Sequence, residues 1–365
     1  MIEAILALLA AGTATWFIGA RYLGGQDLSV FDDSRREDDW RQRFSVGARP
    51  NEEHRAAVQK FVGMNKALRG TPPGELVGRL RAQMDITFGD RPFAARFVPA
   101  DVAGVPAEWV LAPGADTARR TLYLHGGAFT FGSPRSHRAI TTRLSEIGGG
   151  AVLAIDYRLM PEHPRMAGIE DCRRAYRWML EFGPDGAGEP GLVFVAGDSA
   201  GGNLALSLAA WVRDQGLRAP NAVVALSPGT DSTLGSPSVK KNLATDVMLG
   251  PMLKPFIRMP RSLLLWSGLL RNRMSPSNPL ISPVFGDLSG MPPLLLQASE
   301  VEMLLDDSRR YVSKAVAAGT SARLQTWDHV MHAWHLFDPE LTDARQAFEE
   351  IRKFLAENSG GGPAA

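Results

Sequence analysis

The chain has a single cysteine, Cys172, among its 365 residues. No intrachain disulfide can form, so a small fold stapled by disulfides is excluded. Neither sign of charge is in excess: 40 Lys and Arg stand against 39 Asp and Glu, a formal net charge of +1. The chain therefore lacks the broad basic field that would attract nucleic acid. It has no Cys/His cluster at zinc spacing, no Gly-x-x-x-x-Gly-Lys loop to cradle phosphates, and no internal repeat. Neither a metal nor a cofactor is expected. The 45% hydrophobic share is ordinary for a globular core. A chain of this length suits one large domain with additions. Cys172 lies in a helical pattern and reads as a small apolar core residue.

The sequence does contain a sharp strand-to-helix signal. Val193-Phe194-Val195-Ala196 is an apolar, β-prone run that stops at Gly197-Asp198-Ser199-Ala200-Gly201, and a helical pattern from Asn203 to Trp211 follows at once. A serine in such a turn is held in a strained backbone conformation above the end of the sheet. Glycines at 197 and 201 are needed because a side chain there would clash. The helix that follows aims its first N–H groups at a reacting carbonyl. Asp198, inside the turn, reads as a structural hydrogen-bonding residue. Upstream, Thr121-Leu122-Tyr123-Leu124 runs into His125-Gly126-Gly127-Ala128-Phe129. A glycine-rich turn lets backbone N–H groups approach a ligand oxygen closely. Gly127, Ala128 and Ala200 are thus the expected oxyanion hole, holding a tetrahedral intermediate.

These motifs, with Asp156-Tyr157-Arg158-Leu159-Met160-Pro161-Glu162-His163-Pro164 between them, resemble the hormone-sensitive-lipase family of esterases. The resemblance continues through Leu226-Ser227-Pro228, Asn278-Pro279-Leu280-Ile281-Ser282-Pro283 and Met291-Pro292-Pro293-Leu294-Leu295, so it covers roughly residues 90–355. Two departures stand out. Ala128 occupies the place of a common third glycine. Arg165-Met166-Ala167 stands where the family usually has Phe-Pro-Ala, in a loop flanking the site, which leaves substrate preference open.

A serine needs a base, and in this fold the order is Ser, then Asp or Glu, then His. His329, His332 and His335 follow the last core strand. The family pattern of a histidine ahead of an aromatic selects His332 and leaves the other two as flanking, solvated or capping residues. For the acid, the family's register of two acids around a leucine falls on Glu302, Leu304 and Asp306. Glu302 then replaces the usual Asp. Glu300 stays open as an alternative, while Asp306 and Asp307 suit the start of the next helix. Asp156-Tyr157-Arg158, Glu162 and His163 read as supports of the site.

The N-terminus carries an uncharged run, Ala4 to Ala20, followed by Arg21. Its length sits near the low end for spanning a bilayer of roughly 30 Å. Trp16, Phe17 and Tyr22 resemble an interfacial belt, and the cations after the run place the enzyme domain on the cytoplasmic side. The leading expectation is membrane association through residues 1–22. A helix buried on a cap or in a homodimer, a cleaved signal, and a soluble cytoplasmic protein stay open.

The expected fold is α/β: an α/β-hydrolase fold, a mostly parallel central sheet with helices on both faces and a helical cap. Residues 1–25 form the apolar helix, 26–90 cap helices and linker, and 91–231 the first part of the core. A cap insertion follows at 232–275, the second part of the core at 276–357, and a flexible tail at 358–365. Helices are expected at Glu52–Leu68 and Glu75–Met84, early strands at Pro92–Pro99 and Glu108–Ala112, and a solvated linker or helix face at Asp32–Arg43. The resemblance implies a serine carboxylesterase for short- to medium-chain acyl esters. Amide hydrolysis, natural-product deacetylation or acyl transfer could use the same machinery. A non-catalytic small-molecule receptor would be marked by loss of the histidine, and His332 is present.

Overall fold

The computed structural model describes residues 13, 15–32 and 39–360. Nine strands form its main sheet: β1 (Arg41–Phe44), β2 (Arg96–Val102), β3 (Val105–Leu111), β4 (Asp116–Leu124), β5 (Gly150–Ile155), β8 (Leu192–Asp198), β9 (Ala222–Leu226), β10 (Leu294–Ser299) and β11 (Ala322–Trp327). A separate hairpin pairs β6 (Phe182–Gly183) with β7 (Gly186–Ala187). The main sheet runs β1-β11-β10-β9-β8-β4-β5-β3-β2. Every neighbouring pair from β1 to β5 is parallel; β3 alone runs against the rest, and edge strand β2, antiparallel to β3, returns to the common direction. The family fold is thus present: a mostly parallel sheet with helices on both faces.

Central strands of such a sheet are buried on both sides and read as unbroken apolar runs. In β8, Val193 and Val195 pack into one core layer while Phe194 and Ala196 pack into the other. The first layer is closed by α5 (Arg165–Glu181), α6 (Ala200–Asp214) and α10 (Leu305–Ala317), the second by α4 (Arg138–Gly148) and α11 (Thr342–Glu357). Outside these lie α1 (residues 15–23), α2 (Glu52–Ala67), α3 (Pro73–Met84), α7 (Pro237–Lys241), α8 (Leu249–Ile257) and α9 (Arg261–Asn272). The two expected helices of the 26–90 segment are α2 and α3.

Three expectations change. The early strands are shifted: β2 and β3 join through a two-residue loop, Ala103 and Gly104, both at positive φ. That is the backbone hand a tight hairpin needs, so pairing runs up to Val102 and Val105. Pro99 is tolerated because β2 is an edge strand. The charged linker expected over Asp32–Arg43 ends instead in edge strand β1, parallel to β11. Alternating cations there suit an edge, where charge blocks further pairing. Residues 33–38 lie outside the described residues.

The third concerns the N-terminal run. Among the described residues no helix is long and apolar enough to cross a membrane, so the expected anchor gains no support there. Residues 1–3 ahead of that run, and 4–12 and 14 within it, lie outside the described residues. The described part packs inward: Ala20 and Leu23 bury against Leu265 of α9, and Trp16 stacks on Trp266. At the other end, Asn358 and Ser359 bond back to Phe354 and Leu355, closing α11. The rest of the expected tail, 361–365, lies outside the described residues.

Candidate active site

Ser199 sits at the C-terminal edge of the sheet's central strand. Ligands of open α/β sheets bind at this edge. β8 ends at Asp198 and α6 begins at Ala200, which leaves Ser199 alone in the turn at φ 51°, ψ −115°. A non-glycine residue held there carries strain of order 1–3 kcal/mol. The flanking glycines make the turn feasible. A Cβ on Gly201 would lie 1.8 Å from the Leu124 carbonyl oxygen, and one on Gly197 2.4 Å from that of Gly201. The Ser199 N–H donates to the Leu226 carbonyl at 2.7 Å, pinning the turn to β9.

His332 lies on the loop after β11. Its Nε2 is 2.9 Å from Ser199 Oγ, and its Nδ1 is 2.9 Å from Glu302 Oε2. With Nδ1–H donating to the carboxylate, Nε2 is left to accept the serine proton. Glu302 follows β10 and is wholly buried. Burial raises its pKa, and the hydrogen bond and charge of His332 only partly oppose this. Burial lowers that of His332, but the hydrogen bond and charge of Glu302, together with the charges of Asp246 and Asp198, outweigh it and the net shift is upward.

The alternatives are placed elsewhere. Glu300 is paired to Arg309 at 2.7 Å, and Asp306 to the same arginine at 3.1 Å. Asp307 lies in the first turn of α10, where its carboxylate accepts the Thr230 and Asp231 N–H groups. His329 lies 3.3 Å from Asp343, and His335 Nε2 lies 2.8 Å from Gln297 Oε1. Neither is solvated. Burial, with His332 nearby, holds His335 down at about 3, hence neutral.

The loop bearing Gly127 and Ala128 has three successive residues at positive φ: Gly127 (115°), Ala128 (51°) and Phe129 (60°). A Cβ on Gly127 would lie 2.0 Å from the Phe131 carbonyl oxygen, so glycine is required. Ala128 has room for its methyl group but carries left-handed strain, which explains why glycine is common at this place. Ala128→Gly is expected to raise unfolding free energy by up to about 1 kcal/mol, strain relief being partly offset by a freer unfolded chain. Activity should stay within a few-fold. Denaturant melts check this, and a lower midpoint would count against strain at Ala128.

Asp198 joins this loop to the turn. Its Oδ1 accepts the Tyr123 hydroxyl at 2.5 Å and the Gly126 N–H at 2.8 Å, and Oδ2 faces His137 at 3.4 Å. Burial opposes its charge, but His137, Tyr123 and Gly126 prevail and hold its pKa at about 2. Tyr157 acts as a support: its ring stacks on His125 and its hydroxyl donates to the His125 carbonyl at 2.8 Å. Arg165 is not among the residues over Ser199, contrary to its suspected link with substrate preference. It is buried behind the loop, donates to Asn203 Oδ1 at 2.8 Å and lies over the Phe129 ring. Desolvation lowers its pKa to about 9.

A cavity of about 440 Å³ opens over Ser199, His332, Gly127 and Ala128. Its walls are apolar, with Phe61 and Met64 from α2, Met84 from α3, and Met248, Leu249 and Met252 at and beyond the start of α8. Both segments expected over the serine contribute. A larger cavity of about 640 Å³ lies between α1 and α9 and contains neither Ser199 nor His332. Sequence reasoning missed the role of Ser227. It is buried at φ 47° behind the site, and its Oγ accepts the N–H of Ala333, the residue after His332. Its place in the Leu-Ser-Pro motif was the only signal.

Residues 121–336 match a family described as having an alpha/beta hydrolase fold. An acetyl-hydrolase of Streptomyces hygroscopicus is 39% identical over 267 residues, 72% of this chain and 85% of its own length. An esterase of Acinetobacter venetianus is 33% identical over 257 residues, 70% of this chain and 80% of its own. Among solved structures, an esterase from the bacterial hormone-sensitive lipase family superposes with a TM-score of 0.71 at 35% identity, covering 84% of this chain and 99% of that one. EstE5, in a crystal soaked with p-nitrophenyl butyrate, superposes with a TM-score of 0.70 at 35% identity, covering 83% and 99%.

Proposed function

The chain belongs to the hormone-sensitive-lipase family of α/β-hydrolase carboxylesterases, which act on ester bonds, and we propose that it does so through Ser199, His332 and Glu302 by way of an acyl-enzyme. The observation that carries this reading is the continuous line of contacts from Ser199 Oγ through His332 to Glu302, each 2.9 Å long, at the base of an apolar cavity. Ser199 Oγ attacks the ester carbonyl carbon as its proton passes to His332 Nε2. The carbonyl oxygen gains the charge and is held by the N–H groups of Gly127, Ala128 and Ala200, each worth about 3–4 kcal/mol in a preorganised hole. Ala200 is the first residue of α6, so its N–H has no partner within the helix. Collapse breaks the ester C–O bond, and His332 returns the proton to the departing alcohol. Water then attacks the acyl-enzyme with His332 again as base; the Ser199 Oγ–acyl bond breaks, His332 returns the proton to Oγ, and the carboxylic acid departs. Glu302 fixes the imidazole tautomer and stabilises the imidazolium that forms at each stage.

The helices over the serine act as a cap that excludes water and sorts substrates by shape. Short- to medium-chain acyl groups suit the walled cavity, and the acetyl-hydrolase relative and the butyrate ester soaked into EstE5 point the same way. Deacetylation of a natural product is the second reading favoured by that relative. The test is a series of p-nitrophenyl esters of increasing acyl length. kcat/KM should peak at a short or medium chain and fall for long chains; a maximum at the longest acyl groups would overturn this assignment.

A pH dependence follows from His332. As base it must be neutral, and its pKa is raised above the ordinary 6.5. Activity is therefore lost as pH falls through a value above 6.5. The acid limb of kcat/KM for a non-ionising ester reports it. A limb below the ordinary histidine value would count against a charged Glu302 at its Nδ1.

A further inference from the structure

Asp246 touches neither Ser199 nor His332, yet one carboxylate ties together two parts of the site. Its Oδ1 accepts the N–H groups of Met248 at 3.0 Å and Leu249 at 2.8 Å, which begin the wall formed by α8. Its Oδ2 accepts the N–H of Met303, adjacent to Glu302, at 2.8 Å. Asn242 lies one helical turn earlier, and its carbonyl accepts the Asp246 N–H at 2.9 Å. The Asn242 side-chain amide donates to the carbonyls of Glu302 at 2.8 Å and Glu300 at 3.0 Å. Thr245 Oγ1 adds a bond to the Val301 carbonyl at 2.9 Å. The turn that carries Glu302 is thus gripped on its carbonyls and on an N–H by a segment of the helical insertion. Asp246 and Asn242 are both buried, where such bonds are strongest and their loss is most costly.

We propose that Asp246 and Asn242 are positioning residues for Glu302. They lock the backbone of the acid's turn to the segment that starts the cavity wall, so that wall and acid take their places together. The proposal rests on Glu302 being the acid of the Ser199–His332 pair. Glutamate has one more rotatable bond than the aspartate usual at this place, so fixing its backbone matters more. A misplacement of about 1 Å can cost on the order of 10²-fold in rate. The carboxylates acting on His332 are those of Glu302, Asp246 and Asp198, and His335 lies beside it as a neutral ring.

The test is a double-mutant cycle on the full chain, with kcat, KM and pH profile measured on a short p-nitrophenyl ester. Asp246→Asn alone should lower kcat roughly 10- to 100-fold, by the misplacement argument. KM should change less, and the acid limb should move to lower pH. In the Glu302→Gln background, Asp246→Asn should change kcat less than threefold, because no charged acid is left to position. Asn242→Ala should follow the same pattern and decides the matter if Asp246→Asn fails to fold. A loss of equal size in both backgrounds, or no loss in the parent, would overturn the proposal. Glu302→Gln that leaves kcat intact would instead overturn the assignment of Glu302 itself.

Discussion

Ser199→Ala is expected to abolish covalent labelling by a fluorophosphonate and to lower kcat on the order of 10⁶-fold, the loss seen when a comparable serine is removed. As the proposed nucleophile, Ser199 has no substitute: its Oγ is the atom 2.9 Å from His332 Nε2, in a strained turn at the end of the sheet's central strand. Folding should be spared. Alanine should keep the φ of 51° that Ser199 adopts, because the turn is held by the N–H at this position bonding to the Leu226 carbonyl and not by the hydroxyl. A thermal midpoint near that of the parent, with the labelling lost, is the combination to look for. Esterase activity within tenfold of the parent would remove Ser199 from the mechanism.

Glu302→Gln is expected to lower kcat by up to about 10⁴-fold, because an amide at this place favours the wrong imidazole tautomer and cannot stabilise the imidazolium. Glu302 Oε2 is the only carboxylate oxygen within hydrogen-bond reach of His332 Nδ1 among the described residues. Glu300→Gln should cost far less, since Glu300 faces Arg309 and its loss removes a partly exposed ion pair. Steady-state kinetics on both variants, with one small ester, gives the order of severity. If Glu300→Gln proved the more damaging, the register of the acid would be wrong by two residues.

The acid was the weakest part of the sequence reading, and the reason is geometric. Glu300 and Glu302 have the same chemistry and are two positions apart on one turn. Only the direction the chain takes after β10 turns Glu302 into the interior and leaves Glu300 beside Arg309. The three histidines posed the same problem. His329 and His335 lie close to His332 in sequence, yet one faces Asp343 and the other Gln297. Residue type and spacing alone cannot choose among them, and the family pattern was needed to select His332. The clamp made by Asn242 and Asp246 left no trace in the sequence, since its partners, backbone groups of residues 300–303, lie nearly sixty positions away.

The sequence by itself determined the turn at Ser199, the glycine-rich loop at Gly126–Ala128 and the parallel sheet between them. These are local: apolar runs buried on both faces, and glycines where any Cβ would collide with backbone. It also determined that no disulfide contributes to the fold, because Cys172 has no second cysteine to pair with. Tertiary structure decided which carboxylate meets His332, where α1 packs, and that Arg165 serves the back of the loop rather than the cavity. It also made the charged stretch ending at Phe44 an edge strand, which four residues of mixed character could not announce. In each of these the outcome depends on contacts between segments far apart in the chain. Such contacts are set by how whole elements pack, and periodicity within a single segment carries no record of them.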